Sequence, residues 1–199
     1  MSKAPYFAHE SSTIDEGSQI GDGTKIWHYC HISSDSVIGE NCSFGQNCFV
    51  AGGVEIGDRV KVQNNVSLYA GVVAEDDVFL GPSAVLTNVI NPRSHWPRRD
   101  EYKTTFLRRG ATVGANATIV CGTTLGRYCF IGAGAVVAHD VPEFGLMVGV
   151  PARRIGWACQ CGETGLNRED ASEARCEVCG SEYVLKDGVL TWLNEPEAE

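Results

Sequence analysis

The chain has 199 residues, 43% of them hydrophobic and 21% charged, enough for one compact domain and a small appendage. A formal net charge of -9 and a pI of about 5.0 give a surface that repels polyphosphate backbones, so no nucleic-acid partner is expected. No stretch approaches the roughly 20 apolar residues of a membrane span, and the N-terminal MSKAPYFAHESST lacks the apolar run of a signal peptide, which points to a cytoplasmic protein without membrane contact.

The first pattern along the chain is a repeat of six. Counting from Ile14 gives Ile20, Ile26, Ile32, Ile38, Phe44, Val50, Ile56, Val62, Leu68, Ala74, Leu80 and Leu86, all apolar; the count resumes in a shifted phase at Leu107, Val113, Ile119, Leu125, Ile131 and Val137. Neither a helical period nor plain strand alternation produces this spacing. The residue two before each aliphatic is small or β-branched, as at Ser18, Thr24, Val54 and Ala117, and the two positions share the inward side of one strand. The residue just after the aliphatic is often glycine, as expected where the backbone turns tightly. Each hexapeptide is thus one short strand and one corner, and three of them close a triangular coil of about 18 residues that covers its neighbours' apolar interior. About seven such coils fit the chain.

Nine cysteines without an export signal are expected to be reduced thiols. Cys30, Cys42, Cys48 and Cys129 fall on the small inward position, where a thiol acts as a compact hydrophobe, whereas Cys121 lies off that register.

From Asn88 to Phe106 the period fails, and NVINPRSHWPRRDEYKTTF is predicted to leave the coil as a loop, with Pro92 and Pro97 supporting this. Arg93, Arg98, Arg99, Lys103, Arg108 and Arg109 stand there against Asp100 and Glu101, a basic patch suited to a phosphorylated small ligand. Asn88 stands where the coil gives way to this loop, so its amide can reach a ligand outside the helix. A second break follows Val137 in HDVPEFGLMVGVPARRIG. Beyond Trp157, Cys159 and Cys161 are followed by Cys176 and Cys179, two close pairs trailed by glycine. Four thiolates in tetrahedral geometry suit a structural zinc ion. The expected division is a β-helix over 1–156 with an inserted loop at 88–106, and a zinc-ribbon-like appendage over 157–199.

The repeat over roughly residues 8–155 resembles the hexapeptide-repeat acyltransferases, which implies a left-handed parallel β-helix. The segment VGVPARRIG resembles the ending that closes such helices near coenzyme A, so Arg153 and Arg154 are expected to meet its phosphates together with Lys103, Arg108 and Arg109. KIWHYCHI, FLGPSAVLTNVINPRS and RRGATVGANATIVCG are similar to one group in particular, the UDP-2-acetamido-3-amino-2,3-dideoxy-D-glucuronate N-acetyltransferases of lipopolysaccharide O-antigen synthesis. That resemblance implies acetyl-CoA as co-substrate, a nucleotide-sugar acceptor and a homotrimer with sites in the grooves between subunits. It also places coenzyme A beside Gly114, Ala115, Gly132 and Ala133, and the sugar beside Asn91, Arg93 and Trp27.

The implied chemistry is attack of an amine on a thioester, with Asn88 aiming the amine and His31 or His28 available to take its proton. The alternatives are another nucleotide-linked amino sugar, a sugar hydroxyl, a carbonic anhydrase-like metal site, or a non-catalytic scaffold. A catalytic zinc needs three converging histidines, and only His28 and His31 lie close in sequence. A scaffold leaves the basic loop without a purpose.

Overall fold

A computed structural model describes residues 5–166 and 173–196; parts of the appendage, 167–172 and 197–199, lie outside the described residues. Residues 7 to 148 wind into a parallel β-helix with three sheets as its faces. Face A runs from Phe7–Ala8 to Gly145–Val148, face B from Thr13–Ile14 to Val136–Val137, and face C from Gln19–Ile20 to Thr124–Leu125. Most strands are two residues long, because one outward and one inward residue are all that fits between corners. In Lys25–Ile26, Ile26 and the preceding Thr24 are fully buried while Lys25 points out.

Strand partners stand 18 residues apart, as in Lys25↔Ser43, Ser43↔Lys61 and Lys61↔Phe79. The partner of Phe79 is Thr112, 33 residues on, so the loop adds 15 to one coil. The pairing Val72↔Thr105 puts Thr105–Leu107 in face C. The predicted loop over 88–106 therefore ends at residue 104. Thr105 occupies the small inward position two before Leu107 and is buried, so the register has already resumed there.

The corners from Ile14 to Ile131, the loop apart, share one conformation. The residue three after the aliphatic has positive φ, whether glycine (Gly53, Gly110, Gly134) or not (Tyr29, Asn47, Asp77, Asn116, Tyr128). The glycines just after the aliphatic serve another purpose than the predicted tight turn, since their φ is not positive. A Cβ at Gly114 would lie 2.6 Å from the Ala133 nitrogen, so these positions are bare because the coils stack in contact.

The inward residues Thr24, Cys30, Cys42 and Cys48 also satisfy half-buried corner carbonyls. Thr24 Oγ1 donates to the Gly39 carbonyl at 2.9 Å, and the three thiols donate to the carbonyls of Gly45, Gly57 and Gln63 at 3.0 to 3.1 Å. Burial pushes the Cys129 thiol up to about 12, so it remains an inert neutral group. Cys121, although off the inward register, is buried as well, with its N–H donating to Thr87 Oγ1 at 2.9 Å.

The helix ends where Arg153–Trp157 pairs antiparallel with Gly145–Val148. A three-stranded antiparallel sheet, Glu173–Arg175, Glu182–Lys186 and Val189–Trp192, then folds back. It shares a second core with the last coil, in which Phe144 and Trp157 meet Leu166, Tyr183 and Leu190. No helix among the described residues is long and apolar enough to cross a membrane.

Candidate active site

The corner joining faces A and B presents a column of residues one coil apart: His28, Gln46, Asn64, Pro82, Ala115 and Ala133. Its N-terminal part is polar. Trp27, His28, Ser43, Gly45, Gln46, Gln63 and Asn64 line a groove of about 380 Å³. The His28 ring stacks on His9 with centroids 3.6 Å apart, and His9 Nδ1 is 2.9 Å from Ser11 Oγ. Trp27 meets the edge of Phe7 and remains 42% exposed.

Toward the C-terminal end the same column becomes small. At Gln46 the backbone N–H donates to Asn64 Oδ1 at 2.9 Å, one coil along. At Ala115 and Ala133 no such side chain exists, and their N–H groups have no acceptor among the described residues. Two corner N–H groups without an acceptor among the described residues, following Gly114 and Gly132, suit amide carbonyls or a developing oxyanion. Val148 packs over Gly132 and pairs with Arg153, so Arg153 and Arg154 flank these donors. Arg154 lies over the Trp157 ring at 4.1 Å, and Arg153 donates only to the neighbouring Ala152 carbonyl at 3.0 Å.

Face B carries the other expected residues. His31 Nε2 stands 3.0 Å from Asp15 Oδ2, an orienting carboxylate the sequence pattern did not single out. From His31 an aromatic run through Phe49 reaches Tyr69 at the base of the loop, with centroids 5.6 and 6.0 Å apart. The Asn88 carbonyl accepts the Lys103 N–H at 3.0 Å and closes that base. His31 and Asn88 sit three strand spacings apart, about 14 Å along the axis, so one chain does not bring them together. Asn91 and Arg93 are exposed on the loop; the Arg93 carbonyl accepts the Trp96 N–H at 3.2 Å, and its guanidinium donates to the Pro92 carbonyl at 3.5 Å.

The five cations expected around coenzyme phosphates are spread over two corners and the closing strand Arg153–Trp157. Arg108 and Arg109, between faces C and A, are engaged by Glu75 at 2.6 Å and Asp76 at 2.9 Å. Lys103 lies beside Gly122 between faces B and C. Lys103, Arg153 and Arg154 face no carboxylate among the described residues. Cys159, Cys161, Cys176 and Cys179 converge in the appendage, the first pair just after the strand Arg153–Trp157.

The family described as bacterial transferase hexapeptide (six repeats) matches residues 17–52 and 104–139, and the hexapeptide repeat of succinyl-transferase matches 37–70. Over 187 residues the chain is 39% identical to the dTDP-3-amino-3,6-dideoxy-alpha-D-galactopyranose 3-N-acetyltransferase of Aneurinibacillus thermoaerophilus, covering 94% of this chain and 95% of that protein. The chain belongs to the bacterial hexapeptide-repeat transferase family. As a member of that family it is also 29% identical to the bifunctional protein GlmU of a Nostoc species over 158 residues, 78% of this chain and 32% of GlmU. Among solved structures, the acetyltransferase domain of PglB from Neisseria gonorrhoeae in complex with acetyl coenzyme A is 19% identical, with a TM-score of 0.47 over 76% of this chain and 58% of that one.

Proposed function

We propose that this protein transfers the acetyl group of acetyl-CoA to the 3-amino group of a nucleotide-linked 3-amino sugar. The observation that carries the reading is near full-length identity of 39% to a 3-N-acetyltransferase for a dTDP-linked 3-amino sugar. The corner between faces A and B supports it, because a polar groove at one end and bare backbone donors beside arginines without a carboxylate partner among the described residues at the other suit the two substrates. In the proposed arrangement the coenzyme lies beside Gly114, Ala115, Gly132 and Ala133, with Arg153, Arg154 and Lys103 toward its phosphates.

Three tasks follow from the chemistry: the amine must be aimed, the oxyanion held and a proton removed. Asn88 has no basic nitrogen at neutral pH, but its side-chain carbonyl can accept a hydrogen bond from the amine and aim its lone pair. The Asp15-oriented His31, or His28, can take the proton, and the departing thiolate is a further acceptor. Since one chain keeps His31 and Asn88 apart, a homotrimer with sites between subunits is the assembly in which loop and face can meet. Exposed Trp27, Tyr69, Val85 and Trp96 supply apolar surface for it.

For the acceptor we favour the UDP-linked 2-acetamido-3-amino-uronate used in lipopolysaccharide O-antigen synthesis in the cytoplasm, on the strength of the motifs at 25–32, 79–94 and 108–122. Arg93, free of carboxylate partners, is available to a uronate carboxylate. The Aneurinibacillus relative favours a second reading, a dTDP-linked 3-amino-3,6-dideoxy sugar, whose methyl group needs no cation. Turnover on both acceptors by wild type and Arg93→Met separates them. Selective loss with the uronate supports the first reading, and wild-type preference for the dideoxy sugar with an indifferent Arg93 supports the second.

A further inference from the structure

The appendage holds a feature that acetyl transfer does not use. The Sγ atoms of Cys159, Cys161, Cys176 and Cys179 all lie within 4.8 Å of one another. Cys159 and Cys179 are 3.4 Å apart, and Cys161 and Cys176 are 3.7 Å apart. Four sulfurs bound tetrahedrally at about 2.3 Å from zinc stand about 3.8 Å from one another, so the observed spacing is that of a filled coordination shell.

The backbone builds this cluster from two matched knuckles. The Gly162 N–H donates to the Cys159 carbonyl, and the Gly180 N–H to the Cys176 carbonyl, each at 2.9 Å. Both glycines have positive φ, +92° and +77°, so each turn closes on a residue that favours glycine. The first knuckle is one residue shorter, which accounts for its single intervening residue between cysteines. Around the sulfurs stand hydrogen-bond donors. Tyr183 is fully buried, and its hydroxyl oxygen accepts the Gln160 N–H at 3.0 Å, which leaves its proton for Cys159 Sγ at 3.1 Å. Gln160 Nε2 donates to Cys179 Sγ at 3.6 Å. Donors aimed at sulfur favour thiolates, and four neighbouring thiolates require a cation.

We propose that these cysteines bind one zinc ion that clamps the appendage to the flank of the last coils, at the corner between faces C and A. The first knuckle continues directly from Arg153–Trp157, the strand added to face A, and the second lies between Glu173–Arg175 and Glu182–Lys186 of the small sheet. A metal bridging them ties the last coil to that sheet and holds the core of Phe144, Trp157, Leu166, Tyr183 and Leu190 closed. The first knuckle lies beside Asp77, Gly110, Thr112, Tyr128 and Phe130, and the Trp192 ring meets the edge of Tyr128 at 5.8 Å, so the metal holds the appendage against the flank of the last coils. Four protein ligands leave no open position, so the ion is structural.

The test uses the full-length chain under reducing conditions. Elemental analysis should give roughly one zinc per chain, and cobalt added after zinc removal should give a tetrahedral thiolate spectrum. Hydrogen exchange should show the amides of 159–166 and 173–192 losing protection without metal, while those of 14–137 keep it. Cys176→Ser with Cys179→Ser should reproduce that pattern and abolish the cobalt spectrum. Should the double variant fail to fold, metal removal and reloading of the wild-type chain decide alone. Folded, reduced protein without zinc that takes up no cobalt overturns the site, as does an intact mass showing these sulfurs paired in disulfides. Bound metal whose removal leaves the exchange of the appendage unchanged overturns the clamp.

Discussion

A methyl group cannot be added at Gly114 without moving the next coil, because its Cβ would lie 2.6 Å from the Ala133 nitrogen. Gly114→Ala is therefore expected to lower stability by about 2 kcal/mol, measured by chemical denaturation. Asp76 anchors the corner between faces C and A by accepting the Asp58 N–H at 3.0 Å and pairing with Arg109 at 2.9 Å. The Asp58 N–H foremost, with help from Arg109 against the opposing effect of burial, holds its carboxyl below the usual range. A lowered folded pKa contributes stability above the unfolded value of about 3.9 that disappears as the pH falls through the folded value. Asp76→Asn should thus cost about 1 kcal/mol at neutral pH and progressively less in acid, measured by unfolding across pH. At the reacting centre, Asn88→Ala is expected to reduce turnover more than His28→Ala or His31→Ala. A loss of about a thousandfold at either histidine, with both substrates still binding, identifies that histidine as the base.

The strands were the most legible part of the sequence, since each inward pair, such as Thr24 and Ile26, follows from the period of six. The corners were less so. Glycine after the aliphatic suggested a tight turn, yet the left-handed residue is two positions further on, where Asn47, Asp77 or Tyr128 serves as well. What glycine supplies there is room for the neighbouring coil, a contact between residues 15 or more apart that no local pattern displays. The loop boundary was misplaced for a related reason, because Thr105 reads as loop until its partner Val72 is known. For the site, the two cysteine pairs were visible as spacing, whereas the column from His28 to Ala133 emerges only when the coils are stacked. The ion pairs of Arg108 and Arg109 with Glu75 and Asp76 were not, since they join residues 33 apart. Those pairs sort the five cations. Arg153→Ala and Arg154→Ala are expected to raise the KM for acetyl-CoA several-fold with little change for the sugar, whereas Arg108→Ala and Arg109→Ala should mainly lower stability. Steady-state kinetics beside thermal unfolding distinguishes the two outcomes.

At the scale of the molecule, the candidate residues are spread over separate corners and faces of the prism, so the proposed site is one that apposed copies complete. Three chains of 21.4 kDa are expected to sediment together, and dilution to monomer should abolish turnover. A fully active monomer would show that each chain completes its own site. The most direct test of acetyl transfer is to supply acetyl-CoA with the UDP-linked 3-amino-uronate, and separately with its 3-hydroxy analogue. Release of coenzyme thiol and the mass of the sugar product are followed in both. One acetyl group added at the 3-amino position, with the hydroxyl analogue slower by roughly a hundredfold or more, is the predicted result. Equal turnover of the hydroxyl analogue, or no thiol release with this or any other nucleotide-linked 3-amino sugar, would contradict it.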